Sequence, residues 1–288
     1  MSKKITGRTQ TDLINLANRN NLKYKNSKPY PHIVIKNFFN KYFLNEVLKE
    51  FPDLSKNKSS INYDNKNEVK FANNKKKTFK KNTKLFFKYL NSPQFLKFIK
   101  RISSIEEKIL PDLNLSGGGL HEIKRGGVLK IHTDFNKHPT RNLDRRINLL
   151  IYLNKNWKKN YGGQLELWSK DMKQCVKKIM PNFNTMVIFS TNDFTNHGHP
   201  NHLKCPKIIS RKSIATYYFS KGRPKNEIIK MYKKNRTEFK NRMGIKGDVL
   251  VSNEYFKNIL RNTSIYQKIK ILEKKYIRTG KSKIKRKT

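Results

Sequence analysis

In GLHEIKRGGVLKIHTDFN, residues 119–136, the hydrophobic period turns to two, and His132 and Asp134 stand one residue apart. Residues i and i+2 of a strand point to the same side, so an imidazole and a carboxylate converge on one point. That is two thirds of a 2-His-1-carboxylate set. Such a set holds Fe(II) on one face and leaves other positions open to substrate and O₂. Short motifs recur by chance, so the pair gains meaning only from what surrounds it.

Downstream, the same period continues. Strands are predicted at 120–123, 128–132, 147–153, 164–168, 175–179, 185–190 and 213–219, separated by Gly, Asn and Pro. Many short strands at regular spacing indicate a β sandwich or barrel. Upstream, PYPHIVIKNFF reads as a strand. NKYFLNEVLKEFP follows it as a helix with Phe43, Val47, Leu48 and Phe51 on one face, ended by Pro52. Residues 53–82 are polar and lysine-rich, mostly loop, with a short strand near Val69. Residues 83–109 carry helical spacing at Leu85, Phe86, Tyr89 and Leu90, then at Phe95, Phe98, Ile99, Ile102 and Ile105, as far as Pro111. The fold class is therefore α+β: a jelly-roll core with flanking N-terminal helices.

Residues 1–28 are read as a flexible N-terminus, 29–220 as one domain with its β core at about 117–220, and 221–288 as a basic C-terminal extension, helical over 226–243 and 253–277. The 65 Lys and Arg outnumber the 20 Asp and Glu, for a net charge of +45. Such a field favours acidic or nucleic-acid-associated partners. Two distant cysteines make neither a disulfide framework nor a zinc site. The N-terminus lacks the apolar stretch of a secretory signal, and no window is apolar enough to span a membrane, so the cytoplasm is the expected location.

The missing ligand is sought late in the β region, in FSTNDFTNHGHPNH, a strand end followed by His197, His199 and His202. Beyond it, Arg211 opens the strand segment SIATYYF. A 2-oxoacid fills two iron positions with its keto and carboxylate oxygens. The far carboxylate of a dicarboxylic oxoacid then needs a fixed cation, which Arg211 supplies as a bidentate fork. Ser213 faces the same way.

In order along the chain, PHIVIKNFF, GGGLHEI, HTDFN, RRINLLIYLNKNWKKNYGGQLELW, FNTMVIFS, HGHP and RKSIATYYF resemble the Fe(II)/2-oxoglutarate-dependent dioxygenases of prolyl 4-hydroxylase type. The resemblance covers about 29–220. It implies a double-stranded β-helix, iron held by His132, Asp134 and a later histidine, and 2-oxoglutarate held by Arg211. Tyr152 and Leu165 would line its pocket, by their places in YLN and GG-x-L. The third ligand is His197, since His followed shortly by Gly and Pro is the commoner family form, with His199 the alternative. Leu129 departs from the aromatic often found three residues before the motif. The implied reaction couples 2-oxoglutarate decarboxylation to hydroxylation of a prolyl or other amino-acid residue, with ascorbate as a possible reductant for the iron. A small-metabolite hydroxylase and a non-catalytic nucleic-acid-binding jelly roll are the alternatives.

Other polar residues carry plainer expectations. His32 is structural, His121 packed, and His138 and His202 sit on the rim. Trp157 caps a hairpin, Trp168 is core, and Cys175 is a buried apolar residue. Arg141, Arg145 and Arg146 are solvated charges.

Overall fold

The structure, a computed structural model, describes residues 2–224, 227, 237–245 and 248. Two helices open it, α1 (Ser2–Thr6) and α2 (Gln10–Asn26). Thr9 and Asp12 form a reciprocal capping box at the start of α2. Ile5, Leu13, Ala17 and Tyr24 are buried. The N-terminus is thus packed rather than loose, because Leu13, Ala17 and Tyr24 share one helical face.

β1 (His32–Lys36) and α3 (Lys41–Lys49, capped by Asn40) follow as expected. The lysine-rich segment then forms a hairpin of β2 (Ile61–Asp64) and β3 (Glu68–Asn73). Helix α4 spans Lys81–Leu90 and α5 spans Pro93–Ser103. The Ser92 hydroxyl accepts the Phe95 N–H, and Pro93 occupies the first turn, where its missing N–H costs nothing. The apolar stripe ends at Ile102 and Ser104 turns left-handed (φ 57°), so α5 stops short of the predicted run to Pro111. Leu110–Pro111 is instead a short strand, β4.

The core strands are β5 (Gly119–Ile123), β6 (Val128–Thr133), β7 (Asp144–Tyr152), β8 (Leu165–Trp168), β9 (Cys175–Ile179), β10 (Thr185–Ser190), β11 (His197–His199), β12 (Arg211–Ser220) and β13 (Glu238–Phe239). They pair antiparallel along the path β1-β10-β7-β12-β5-β3-β6-β11-β8-β9, with β2 on β3, β4 on β12 and β13 on β6. This path curls on itself. Tyr152 of β7 and Val187 and Phe189 of β10 pack with Leu165 and Leu167 of β8, near the other end. The result is a nearly closed jelly roll with helices on one side.

Alternation decides which side chains enter. Ile147, Leu149 and Ile151 of β7, Met186 and Ile188 of β10, and Ile214 and Tyr218 of β12 face the helices, against Phe38, Phe86, Phe95, Phe98 and Ile99. The intervening residues face the interior of the roll.

Two expectations change. The sequence predicts a loop at His197–His199, but these residues form a strand between β6 and β8. Gly198 permits it, since a Cβ there would lie 2.7 Å from the carbonyl oxygens of Leu129 and Lys130. Residues 238–239, read within a helix, pair with β6 opposite Thr133 and His132. Beyond the end of β3, the edge of β6 offers free backbone groups, which β13 takes. The predicted helix at 253–277 and the tail after it lie outside the described residues.

Candidate active site

His132 is the last residue but one of β6, Asp134 follows the strand, and His197 opens β11, directly opposite His132 in register. Their ligating atoms all lie within 4.8 Å of one another. His197 Nε2 is 3.3 Å from Asp134 Oδ2, and His132 Nε2 is 3.7 Å from Oδ1. Each imidazole is oriented by its other nitrogen: His132 Nδ1 lies 2.8 Å from the Lys130 carbonyl, and His197 Nδ1 lies 2.8 Å from that of Thr195. A carbonyl only accepts, so each Nδ1 carries a proton and each Nε2 is the nitrogen turned to Asp134.

Burial and the neighbouring His197 push His132 down to about 3, against the pull of Asp134. It is therefore neutral and able to ligate at neutral pH. Burial works to raise Asp134, but the Arg145 guanidinium outweighs it and holds the carboxyl well below its usual range.

Asp134 Oδ2 accepts from Arg145 Nη2 at 2.9 Å and Asn148 Nδ2 at 2.6 Å. Arg145 Nε in turn donates to Asn148 Oδ1 at 2.8 Å. The guanidinium lies 3.4 Å from the Tyr217 ring centroid and 4.4 Å from that of Phe135. Arg145 is 1 % exposed, not solvated as its position before a strand implies. Arg146 is buried too, 2.9 Å from Glu107. Sequence reading missed Arg145 and Asn148 because strict alternation places them on opposite faces. A bulge in β7, between Ile147 opposite Tyr218 and Arg145 opposite Phe219, brings both inward.

At the other end of the cavity, Arg211 is 5 % exposed at the start of β12. Its Nε donates to the Gly163 carbonyl at 2.8 Å and its Nη2 to the Tyr152 hydroxyl at 3.2 Å. Gly163 belongs there because a Cβ would crowd Arg211 Cδ at 3.0 Å. Burial pushes the Tyr152 hydroxyl up, so it stays protonated. Ser213 and Leu165 line the same space of about 200 Å³, which reaches from Arg211 to His132.

His199 joins that cavity, outside the three-atom cluster. So does His121, which burial pushes down to about 3. Lys70 and Tyr63 of the β2–β3 hairpin and Thr237 beside β13 line it as well. His32 is held by the Tyr30 carbonyl, and Trp157 Nε1 closes its hairpin on the Gly162 carbonyl. His138 rests on Phe219, exposed His202 bonds to Gly126, and Cys175 is only half-buried.

The donor set fits a divalent iron ion: two imidazoles on paired strands and one carboxylate just beyond the end of one of them. The far end fits a carboxylate, with a buried guanidinium and a phenol hydroxyl.

Comparison with known proteins agrees. Residues 118–219 match the family described as the 2OG-Fe(II) oxygenase superfamily. No curated protein matches the sequence. Among solved structures, a prolyl hydroxylase from Trichoplax adhaerens, in complex with a hypoxia inducible factor oxygen degradation domain peptide, is similar at 20% identity. The match has a TM-score of 0.51 and covers 73% of this chain and 91% of that one. A Pseudomonas putida prolyl-4-hydroxylase matches at 12% identity and TM-score 0.49, over 75% of this chain and all of that one. The β core carries the match to the 2OG-Fe(II) oxygenase superfamily, and its fold is similar to that of the prolyl hydroxylases. The chain is thus an oxidoreductase whose cofactor set is Fe(II), 2-oxoglutarate and O₂.

Proposed function

We propose that this chain hydroxylates a prolyl or other amino-acid residue of a peptide, with His132, Asp134 and His197 holding iron and Arg211, Tyr152, Ser213 and Leu165 binding 2-oxoglutarate. The observation that carries this reading is one cavity with the three donor atoms at one end and the buried Arg211–Tyr152 pair at the other.

When bound, iron with 2-oxoglutarate and O₂ supplies the oxidising power that turns a substrate C–H into C–OH, with release of succinate and CO₂. The chain supplies the rest. Backbone carbonyls fix both imidazoles, Arg145 and Asn148 fix the carboxylate, and Arg211 fixes the cosubstrate's far carboxylate. Leu165, Leu129 and Ile123 keep the interior apolar around these groups.

A peptide substrate is favoured because the similar Trichoplax structure holds a peptide. The catalytic domain is proposed at about 29–220, with α1 and α2 packed into its helical layer and a basic extension following at 221–288. Ascorbate keeps the iron reduced. The net charge of +45 suits an acidic or nucleic-acid-associated target. Among the described residues no helix is long and apolar enough to cross a membrane, and the cytoplasm is the proposed location.

The test is incubation with Fe(II), 2-oxoglutarate, ascorbate and proline-containing peptides in air. Succinate formation with a one-oxygen mass gain on proline is expected. Mass gain only on free amino acids or other metabolites would replace the peptide substrate.

A further inference from the structure

His199 is 3 % exposed, yet neither Nδ1 nor Nε2 has a hydrogen-bond partner. Among the described residues it is the one side chain with two such orphaned atoms. The Asn201 backbone lies nearby without completing a hydrogen bond to it. Leaving a buried polar atom unsatisfied costs about 1–3 kcal/mol. A protein that retains two in one ring has a use for them.

The ring's position says what the use is. In a regular ladder His199 would oppose Lys130; it opposes Leu129 instead, through a register shift after the His197–His132 pair. His199 therefore lines the cavity away from the three-atom cluster. Arg211 and Lys70 line the same cavity. An uncharged imidazole offers one donor and one acceptor. A dicarboxylic 2-oxoacid has further acceptor oxygens beyond the one carboxylate that Arg211 and Tyr152 would hold.

We propose that His199 is a cosubstrate-binding residue: its ring N–H donates to an oxygen of the dicarboxylic 2-oxoacid that Arg211 anchors. This rests on the oxygenase reading above and deepens it. His199 thereby serves 2-oxoglutarate rather than iron, although it stands two residues from His197.

The test uses the full chain loaded with Mn(II), so that binding is read without turnover. Metal affinity and 2-oxoglutarate affinity are measured separately by calorimetry for the wild type, His199→Leu and His199→Gln. His199→Leu should weaken 2-oxoglutarate binding about five- to 150-fold, the range of one lost buried hydrogen bond. Its Mn(II) affinity should stay within about twofold, and His199→Gln, which keeps an N–H, should recover part of the loss. If His199→Leu does not fold, His199→Val, a β-branched residue suited to a strand, carries the same comparison.

Unchanged or tighter 2-oxoglutarate binding in the apolar variant overturns the inference, since water alone would then have satisfied the ring. Loss of Mn(II) binding also overturns it, by making His199 a metal ligand. A wild-type protein that takes Mn(II) but no 2-oxoglutarate overturns the oxygenase reading itself.

Discussion

Asp134 faces an imidazole with each oxygen and is itself held by Arg145 and Asn148. Partners of this kind typically contribute 10–100-fold to metal affinity. Arg145→Met is therefore expected to weaken Mn(II) binding by about that factor; an unchanged titration would show that Arg145 serves only packing. The buried histidines set a pH dependence. His132 titrates at about 3 and His199 well below its ordinary value, whereas both titrate near 6.5 when unfolded. The folded state then binds fewer protons, so metal-free stability falls as pH drops from about 6.5 toward 3. The urea midpoint in chelator should be lower at pH 5 than at pH 7, and the reverse order would contradict these shifts. At this scale the HTD spacing was legible because a strand period of two is rigid. The choice of His197 over His199 rested on family form, and the register shift that separates their positions has no sequence signature. Arg145 was misjudged for the same reason, a bulge that alternation cannot show.

Each helix could be read where an apolar stripe runs several turns. Phe98 of α5 is fully buried, its ring 5.2 Å from that of Phe38 and 5.5 Å from that of Phe95. Phe98→Ala should cost about 3–5 kcal/mol in urea unfolding; a cost under about 1 kcal/mol would mean the helical layer is not the core described. Strands β11 and β13 span three and two residues. Such lengths hold no period, so their pairing depends on a partner edge far away in sequence. Gly198 is the clue in β11. Gly198→Ala should push β11 off β6, displace His197 and weaken metal binding, as read by the same titration. An alanine variant with wild-type affinity would show that the strands can part without moving the ligand. Phe239 of β13, 5.6 Å from the His132 ring, belongs to a composition that reads equally well as helix.

Taken whole, the chain announces its jelly roll through seven apolar segments in regular succession, while the curl that joins β8 to β10 exists only in three dimensions. The charge of +45 is legible at once but points to no single partner. Its expected consequence is a non-specific affinity for polyanions such as heparin that falls steeply with salt and survives His132→Ala; salt-independent binding, or loss with His132, would tie the charge to the active site instead. The central claim is that one cavity holds one iron and one 2-oxoglutarate. Anaerobic titration of the full chain with Fe(II) and then 2-oxoglutarate, followed by visible absorbance, tests it most directly. The account predicts a charge-transfer band that saturates at one of each per chain and is absent in His132→Ala. A folded wild-type protein that binds Fe(II) but develops no band with excess 2-oxoglutarate would contradict it.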